Sequence, residues 1–249
     1  MTAAAAGTAV VLLDIEGTTT PLSFVHDVLF PYARTHVAAW VASRPPDDPE
    51  LREIAAAIHD EAAAEAAATG SASLVGGAAV PDFSEPAGRE RLLQRVATLM
   101  DQDRKSPGLK RLQGLVWLQG YRDGSLVGQV YPDVKPALAR WTAAGRQVGI
   151  YSSGSVLAQK LLFASSNAGD LTPFLRWHFD TAVGAKVEME SYRRIVKEIG
   201  ASPSKVLFIS DVSRELDAAR AAGLMTRLCA RGDRPPASHP LITSFDQVP

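Results

Sequence analysis

The sequence predicts an α/β fold: a doubly wound parallel sheet with a helical domain inserted after its first strand. Two observations carry that expectation. Short, β-branched apolar runs alternate with amphipathic helical patterns along the second half of the chain, and continuous apolar strands suit a sheet covered on both faces. More than a hundred residues of mostly helical character separate the first such run from the next strand-like stretch, too many for a loop.

The first strand is the run Ala9–Leu13, which ends in Asp14. The insertion then reads as four helices, Pro31–Ala42, Pro49–Ala67, Glu90–Arg104 and Gly108–Arg122. The acids of Asp47-Asp48-Pro49-Glu50 mark the start of the second. Its Ala55–Ala68 stretch is low in complexity but high in helix propensity, so an ordinary helix is expected there. Thr69–Gly88, with Gly, Ala, Ser and Pro and little periodicity, reads as a surface loop. The sheet resumes with a strand-like Val127–Tyr131, a helix over Asp133–Ala144, a strand at Gln147–Tyr151 and a helix over Val156–Ser165. Further helices are expected over Glu190–Ile199 and Arg214–Ala222, the latter stopped by Gly223, with strands at Lys205–Ile209 and Thr226–Ala230. The expected division is a discontinuous core, residues 8–22 and 126–249, and a helical cap, residues 23–125. A length of 249 residues against roughly 150 per domain agrees with one domain plus an insertion.

Bulk properties narrow the function. With 26 Lys+Arg against 27 Asp+Glu the net charge is -1, so no overall field recruits nucleic acid or an anionic membrane, and selectivity must come from a local site. No run approaches the roughly 20 apolar residues of a membrane span, and Met1–Gly7 lacks the charged start and apolar centre of a signal peptide. The single cysteine, Cys229, forms no internal disulfide and reads as a small core residue. A cytoplasmic protein is expected, and a monomer, because an inserted cap already covers the site.

In an open parallel sheet, ligands bind beyond the carboxyl ends of the strands. There the chain places Asp14-Ile15-Glu16-Gly17-Thr18-Thr19, Ser152-Ser153-Gly154-Ser155 and Ser210-Asp211, with Gly184-Ala185-Lys186 just before the Glu190 helix. Carboxylates at 14 and 211 repel unless a hard cation sits between them, and oxygen ligands with retained waters suit Mg²⁺. Glu16, two residues on, points the same way along an extended chain and reaches further, as an acid and base beside a nucleophilic Asp14 would. Small hydroxyls and free N–H groups at Ser152–Gly154, opening a helix, form an anion cradle, and Lys186 adds a point charge. Metal, anion site and nucleophilic carboxylate together mean phosphoryl transfer through an aspartyl-phosphate.

Taken singly, these residues have blander readings. An Asp ending a strand is usually a turn or cap residue, Ser152 and Ser153 alone would be an N-cap pair, and a lone Lys186 would be solvated surface. Thr18 and Thr19 serve the turn as readily as a transition state. Lys160 competes with Lys186 as the ammonium but falls on a helix face. His26, His36, His59, His178 and His239 show no metal-ligand spacing, and Trp117, Gln119 and Tyr121 are more often core than substrate contacts.

The four segments in this order and spacing resemble the four motifs of the haloacid-dehalogenase superfamily. More narrowly, Asp14–Thr19, Tyr151–Ser155 followed by Ala158–Phe163, Lys186-Val187-Glu188 with Glu190-Ser191-Tyr192, and Asp211–Glu215 resemble the enolase-phosphatases of methionine salvage, also called acireductone synthases. Leu112-Gln113-Gly114 and Leu241–Phe245 match that family as well, and the likeness is weakest across Thr69–Gly88. The resemblance implies a bifunctional reaction on 2,3-diketo-5-methylthiopentyl-1-phosphate, enolised and then hydrolysed to the acireductone 1,2-dihydroxy-3-keto-5-methylthiopentene and phosphate. It implies Asp14 as nucleophile and metal ligand, Glu16 as acid/base and metal contact, and Asp211 as a further ligand of one Mg²⁺ per chain. Ser152, Ser153 and Lys186 would hold the phosphoryl group of this small-molecule substrate. Glu16 stands where much of the wider superfamily has Asp, so its carboxylate and its backbone carbonyl are both candidates for the metal contact. No second Asp follows Asp211; Glu215, one helical turn on, is the candidate for orienting a metal-bound water. Three alternatives stand against this reading: a phosphatase of another small ester without the enolase step, a dehalogenase, which needs neither Mg²⁺ nor Glu16, and a non-catalytic α/β binding module.

Overall fold

The computed structural model describes residues 7–69, 81–102, 104, 106–232 and 238–249. The centre of the expected Thr69–Gly88 loop lies outside them. Five parallel strands, β1 (Val10–Leu13), β2 (Gln147–Tyr151), β3 (Leu175–Phe179), β4 (Val206–Ser210) and β5 (Met225–Cys229), with a two-residue β6 (Leu241–Ile242), form one sheet in the order β3-β2-β1-β4-β5-β6. The connecting helices are α5 (Val134–Ala143), α6 (Val156–Ala164), α7 (Met189–Ile199) and α8 (Ser213–Ala221). The numbering in that order reverses at β1, which is the topological switch point where such sheets bind ligands. The chain divides into two compact units, residues 1–27 with 123–249, and residues 28–122.

All four residues of β1 are at most 2% exposed, so the strand is covered on both faces and its apolar run needs no alternation. Val10 and Leu12 pack with Tyr151 and Phe208 against Tyr192, Ile195 and Leu216 of α7 and α8. α5 packs against β2 and α6 against β3. Gly200, in the left-handed region at φ 73°, ends α7, and the short loop after it returns the chain to β4.

The helical unit holds α1 (Phe30–Ala42), α2 (Pro49–Thr69), α3 (Pro86–Asp101) and α4 (Pro107–Asp123). Asp48 Oδ1 accepts the Leu51 N–H at 2.9 Å and so starts α2. Leu51, Ile54, Ala55 and Ile58 then recur at helical spacing and are at most 2% exposed, which lets the Ala-rich helix bury one stripe against Val37, Trp40, Leu92 and Leu112.

Two sequence expectations change. Val127–Tyr131 is not a strand of the sheet; only Gly128 makes a bridge, to Ser166. The backbone groups of that stretch are satisfied elsewhere. Gly128 N–H donates to Ser165 O, Asn167 Oδ1 accepts from Val130 N–H, and Tyr131 N–H reaches Thr19 O. A Cβ at Gly128 would stand 2.3 Å from Leu162 O, so only glycine allows this close approach. The structure also contains a strand that apolar patterning missed, β3, whose Arg176, Trp177 and His178 are partly or fully exposed because it lies at the sheet edge.

Candidate active site

β2, β1 and β4 are neighbours about 4.8 Å apart, so whatever ends them must meet. Asp14 continues the ladder by donating its N–H to Ile209 O at 3.0 Å. Its Oδ1 accepts the Ile15 N–H at 2.8 Å. The chain then closes on itself, because Ile15 O accepts the N–H groups of Thr18, Thr19 and Thr20, and Gly17 N–H donates to Thr20 O. Gly17 lies at φ 69°, and a Cβ there would come 2.1 Å from Asp211 Oδ2. Glycine is therefore needed twice at this position, for the turn and for the approach of the second carboxylate.

The loop bearing Lys186 is pinned by three hydroxyls donating to three successive carbonyls. Tyr151 Oη bonds Gly184 O at 3.0 Å, Ser191 Oγ bonds Ala185 O at 2.8 Å and Tyr192 Oη bonds Lys186 O at 2.6 Å. This anchoring aims the ammonium inward, with the side chain only 7% exposed, 2.6 Å from Asp14 Oδ1 and 2.7 Å from Glu215 Oε2. Ser210, the last residue of β4, lies beneath both acids, its Oγ 3.3 Å from Asp14 Oδ2 and 3.0 Å from Glu215 Oε2. The sequence places Ser210 at this strand end but gives it no role, because it closes a run that is buried throughout.

Asp14, Glu16, Ser152, Ser153, Lys186 and Asp211, the six residues singled out from the sequence, line one cavity together with Leu22, Val212 and Glu215. Its volume is about 100 Å³, below the roughly 300–1,000 Å³ of pockets that enclose a whole ligand, so it takes the reacting end of a substrate. Lys160 is exposed on α6 and does not line the cavity. One expectation needs correction. Two of the N–H groups expected to form a free cradle over Ser152–Gly154 are spent, Ser152 N–H on Phe179 O and Gly154 N–H on Ser152 Oγ, and at the start of α6 Val156 N–H goes to Asp180 Oδ2 and Ala158 N–H to Ser155 Oγ. A helix start with side-chain caps in reach satisfies itself.

The cavity is rich in acid. Burial, and next the neighbouring Asp14 carboxylate, push the Asp211 carboxyl up to about 7. Burial and Asp14 likewise raise Glu215, against the pull of Lys186. Burial works against the Lys186 ammonium, but Asp14 and Glu215 outweigh it and hold its pKa above the usual value. Among the described residues no three His, Cys, Asp or Glu side chains form a ready metal cage. What is present is a pair of acids from adjacent strands, drawn to one place by the Gly17 approach and short of positive charge. That set fits a hard divalent cation which keeps waters and takes one or two carboxylates, as Mg²⁺ does.

Comparison with known proteins agrees. Residues 8–223 match the family model of haloacid dehalogenase-like hydrolases. An enolase-phosphatase E1 of Klebsiella pneumoniae is 45% identical over 239 residues, covering 96% of this chain and 95% of that one. The enolase-phosphatase E1 of Synechococcus elongatus is 48% identical over 222 residues, covering 88% and 87%. The chain belongs to the enolase-phosphatase family of haloacid dehalogenase-like hydrolases. A solved structure in the same fold is the UTR4 protein of Saccharomyces cerevisiae, with a TM-score of 0.74 at 34% identity, over 96% of this chain and 99% of that one. Family membership makes the protein a phosphatase.

Proposed function

We propose that the protein is a bifunctional enolase-phosphatase, converting 2,3-diketo-5-methylthiopentyl-1-phosphate to its enol phosphate and then to the acireductone and phosphate, within methionine salvage. The observation that carries this reading is the joint presence in one cavity of Asp14, Glu16, Lys186, Asp211 and the Ser152-Ser153 pair, in a chain 45% identical to an enolase-phosphatase over nearly its full length.

In this proposal the Asp14 carboxylate attacks phosphorus, forming an aspartyl-phosphate while the bond to the substrate oxygen breaks. Glu16 gives that oxygen its proton and then takes one from the water that hydrolyses the aspartyl-phosphate. Lys186, Ser152 and Ser153 hold the phosphoryl oxygens, and Lys186 also fixes Asp14 through the 2.6 Å ion pair. Asp14, Asp211 and either the side chain or the carbonyl of Glu16 would hold one Mg²⁺. Bound there, it would supply charge neutralisation at the phosphoryl oxygens and polarisation of a substrate carbonyl. Residues 8–22 and 126–249 form the catalytic core in the same reading, and residues 23–125 the cap. The buried, free Cys229 thiol suits a reducing cytoplasm, and a monomer is the proposed state.

The test is direct. Purified protein with Mg²⁺ and the diketo phosphate releases phosphate and produces the ultraviolet absorbance of the enol, and Asp14→Asn abolishes phosphate release. No absorbance with phosphate still released would leave a plain phosphatase, and unchanged turnover by Asp14→Asn would remove the covalent mechanism.

A further inference from the structure

The turn carrying Asp14 and Glu16 is gripped by a residue that does not line the cavity. Arg231, two residues beyond β5 at the same carboxyl edge of the sheet, sends Nε and Nη2 to the carbonyl of Thr18, at 2.9 and 2.7 Å. Its Nη1 bonds Asp133 Oδ2 at 2.6 Å, with side-chain exposures of 10% and 12%. The guanidinium carbon lies 4.4 Å from the Tyr131 ring centroid and 4.5 Å from that of Phe245.

Each partner is itself held. Asp133 Oδ2 also accepts the Ser244 hydroxyl at 3.1 Å and the Phe245 N–H at 2.6 Å. Burial would raise the Asp133 carboxyl, but Arg231 and the Phe245 N–H outweigh it and hold it below the usual range. Arg140 Nη2 donates to Phe245 O and Val248 O, and Trp141 Nε1 donates to Val248 O, so the C-terminal segment is fastened to α5. Tyr131 N–H bonds Thr19 O at 2.9 Å, a second tether one residue along the same turn.

A largely buried ion pair of this kind is poor evidence for stability, since an apolar replacement of similar volume often serves as well. A rigid fork with two donors on one carbonyl does something an apolar pair cannot, because it fixes where a particular backbone atom stands. The carbonyl so fixed lies four residues from Asp14 and two from Glu16. We infer that Arg231 is a positioning residue: its fork on Thr18, backed by Asp133, Tyr131 and Phe245, sets how Asp14 and Glu16 face the cavity. Through Phe245 it also makes the C-terminal segment part of the catalytic support.

This inference rests on the proposed roles of Asp14 and Glu16. Its test uses the full chain with Mg²⁺ and the diketo phosphate, at a temperature where circular dichroism shows every variant folded. Misplacing a reacting group by an ångström costs on the order of 100-fold, so Arg231→Gln is expected to lower kcat by about 10- to 100-fold while KM moves less than about threefold. Arg231→Lys, which keeps the charge but not the fork, recovers only part of that loss. Amide exchange across Gly17–Thr20 accelerates in both variants. Asp133→Asn, which keeps the shape but loosens the arginine, shows the same exchange change with a smaller kcat loss, and it carries the test if Arg231→Gln does not fold. A merely structural role would lower the melting temperature while leaving kcat and the Gly17–Thr20 exchange as in wild type, and that result overturns the inference. Wild type active, Asp14→Asn inactive and Arg231→Gln unimpaired would reject Arg231 alone. Inactive wild type would reject the functional reading, with the exchange arm still deciding whether Arg231 holds the turn.

Discussion

Lys186→Met is the perturbation whose consequence the structure fixes most closely. Methionine keeps most of the side-chain volume and removes the one ammonium that stands between Asp14 and Glu215, both within 2.7 Å of it. The side-chain exposures are 7% for the lysine, 5% for Asp14 and 11% for Glu215, so water cannot take over the lost role. Removing one partner of a buried pair costs about 3–5 kcal/mol, because the remaining charges are left uncompensated. In a chain of this size each kcal/mol moves the melting temperature by roughly 2–4 °C, so a fall of about 6–20 °C is expected.

The pH dependence has a definite sign. Without the ammonium, which now holds it down, the raised Glu215 carboxyl escapes the penalty by taking up a proton, so the folded state binds a proton that the unfolded chain has released. Stability then falls as pH rises above the ordinary carboxylate range, and the deficit relative to wild type is larger at pH 8 than at pH 5. A second substitution should undo much of the damage. In Lys186→Met with Glu215→Gln one acid is gone, the amide still accepts from Ser210, and at least half the lost stability returns as a non-additive coupling. The assay is thermal and urea unfolding of the wild type, both single variants and the double variant at the two pH values. Additive single-variant effects, or a Lys186→Met deficit below about 1 kcal/mol and flat with pH, would refute the buried-charge account, since that is the range of exposed ion pairs.

Other outcomes follow from the same geometry. Gly17→Ala forces a Cβ to within 2.1 Å of the Asp211 carboxylate and strains a left-handed residue, costing about 1–2 kcal/mol of stability. The carboxylate must swing away, so the melting temperature drops modestly while the Mg²⁺ concentration for half-maximal activity rises far more; unchanged Mg²⁺ dependence would be the contrary result. For Mg²⁺ itself, at 100 times its dissociation constant a ligand of the folded state adds about 2.7 kcal/mol, a rise of roughly 5–10 °C in melting temperature. Because Asp211 is raised to about 7, the folded state holds a proton there that the unfolded chain loses near pH 4, and apo stability falls across that window. Mg²⁺ competes with that proton, so its stabilisation is expected to be larger at pH 8 than at pH 5, and calorimetry showing the reverse order would exclude Asp211 as a ligand.

What could be read from the sequence follows a physical line. Strands buried on both faces announce themselves by composition, as β1 and β4 do, and the residues that end them are found by counting. Edge strands do not: β3 has a half-exposed Trp177 and His178, and β6 is two residues long. Val127–Tyr131 misled because apolar spacing says nothing about where the backbone N–H groups go, and here they go to the Ser165–Asn167 turn and to Thr19. Ser210 and Arg231 escaped for a different reason. Each acts through polar contacts made inward, and neither residue type is unusual at the end of a strand. The usable signal for Arg231 was its position, just past a strand at the carboxyl edge where the site was already expected.

The near-zero net charge of the chain conceals a local excess of acid, and that excess orders events at the site. Asp14, Glu16, Asp211 and Glu215 share one small cavity with a single ammonium, Lys186. In the proposed mechanism a phosphoryl anion approaching Ser152 and Ser153 would meet the field of those carboxylates, and Lys186 is already committed to two of them at 2.6 and 2.7 Å. The anion must either draw Lys186 away from an acid or enter where a divalent cation has reversed the local sign. On that mechanism cation and phosphate affinities are expected to be positively coupled, each raising the other by the same factor. The same reasoning bears on how the turn is supported by a residue outside the cavity lining. Arg231 holds Thr18 with a charge that Asp133 cancels, so the turn is fixed without adding positive charge that would compete with the cation for Asp14.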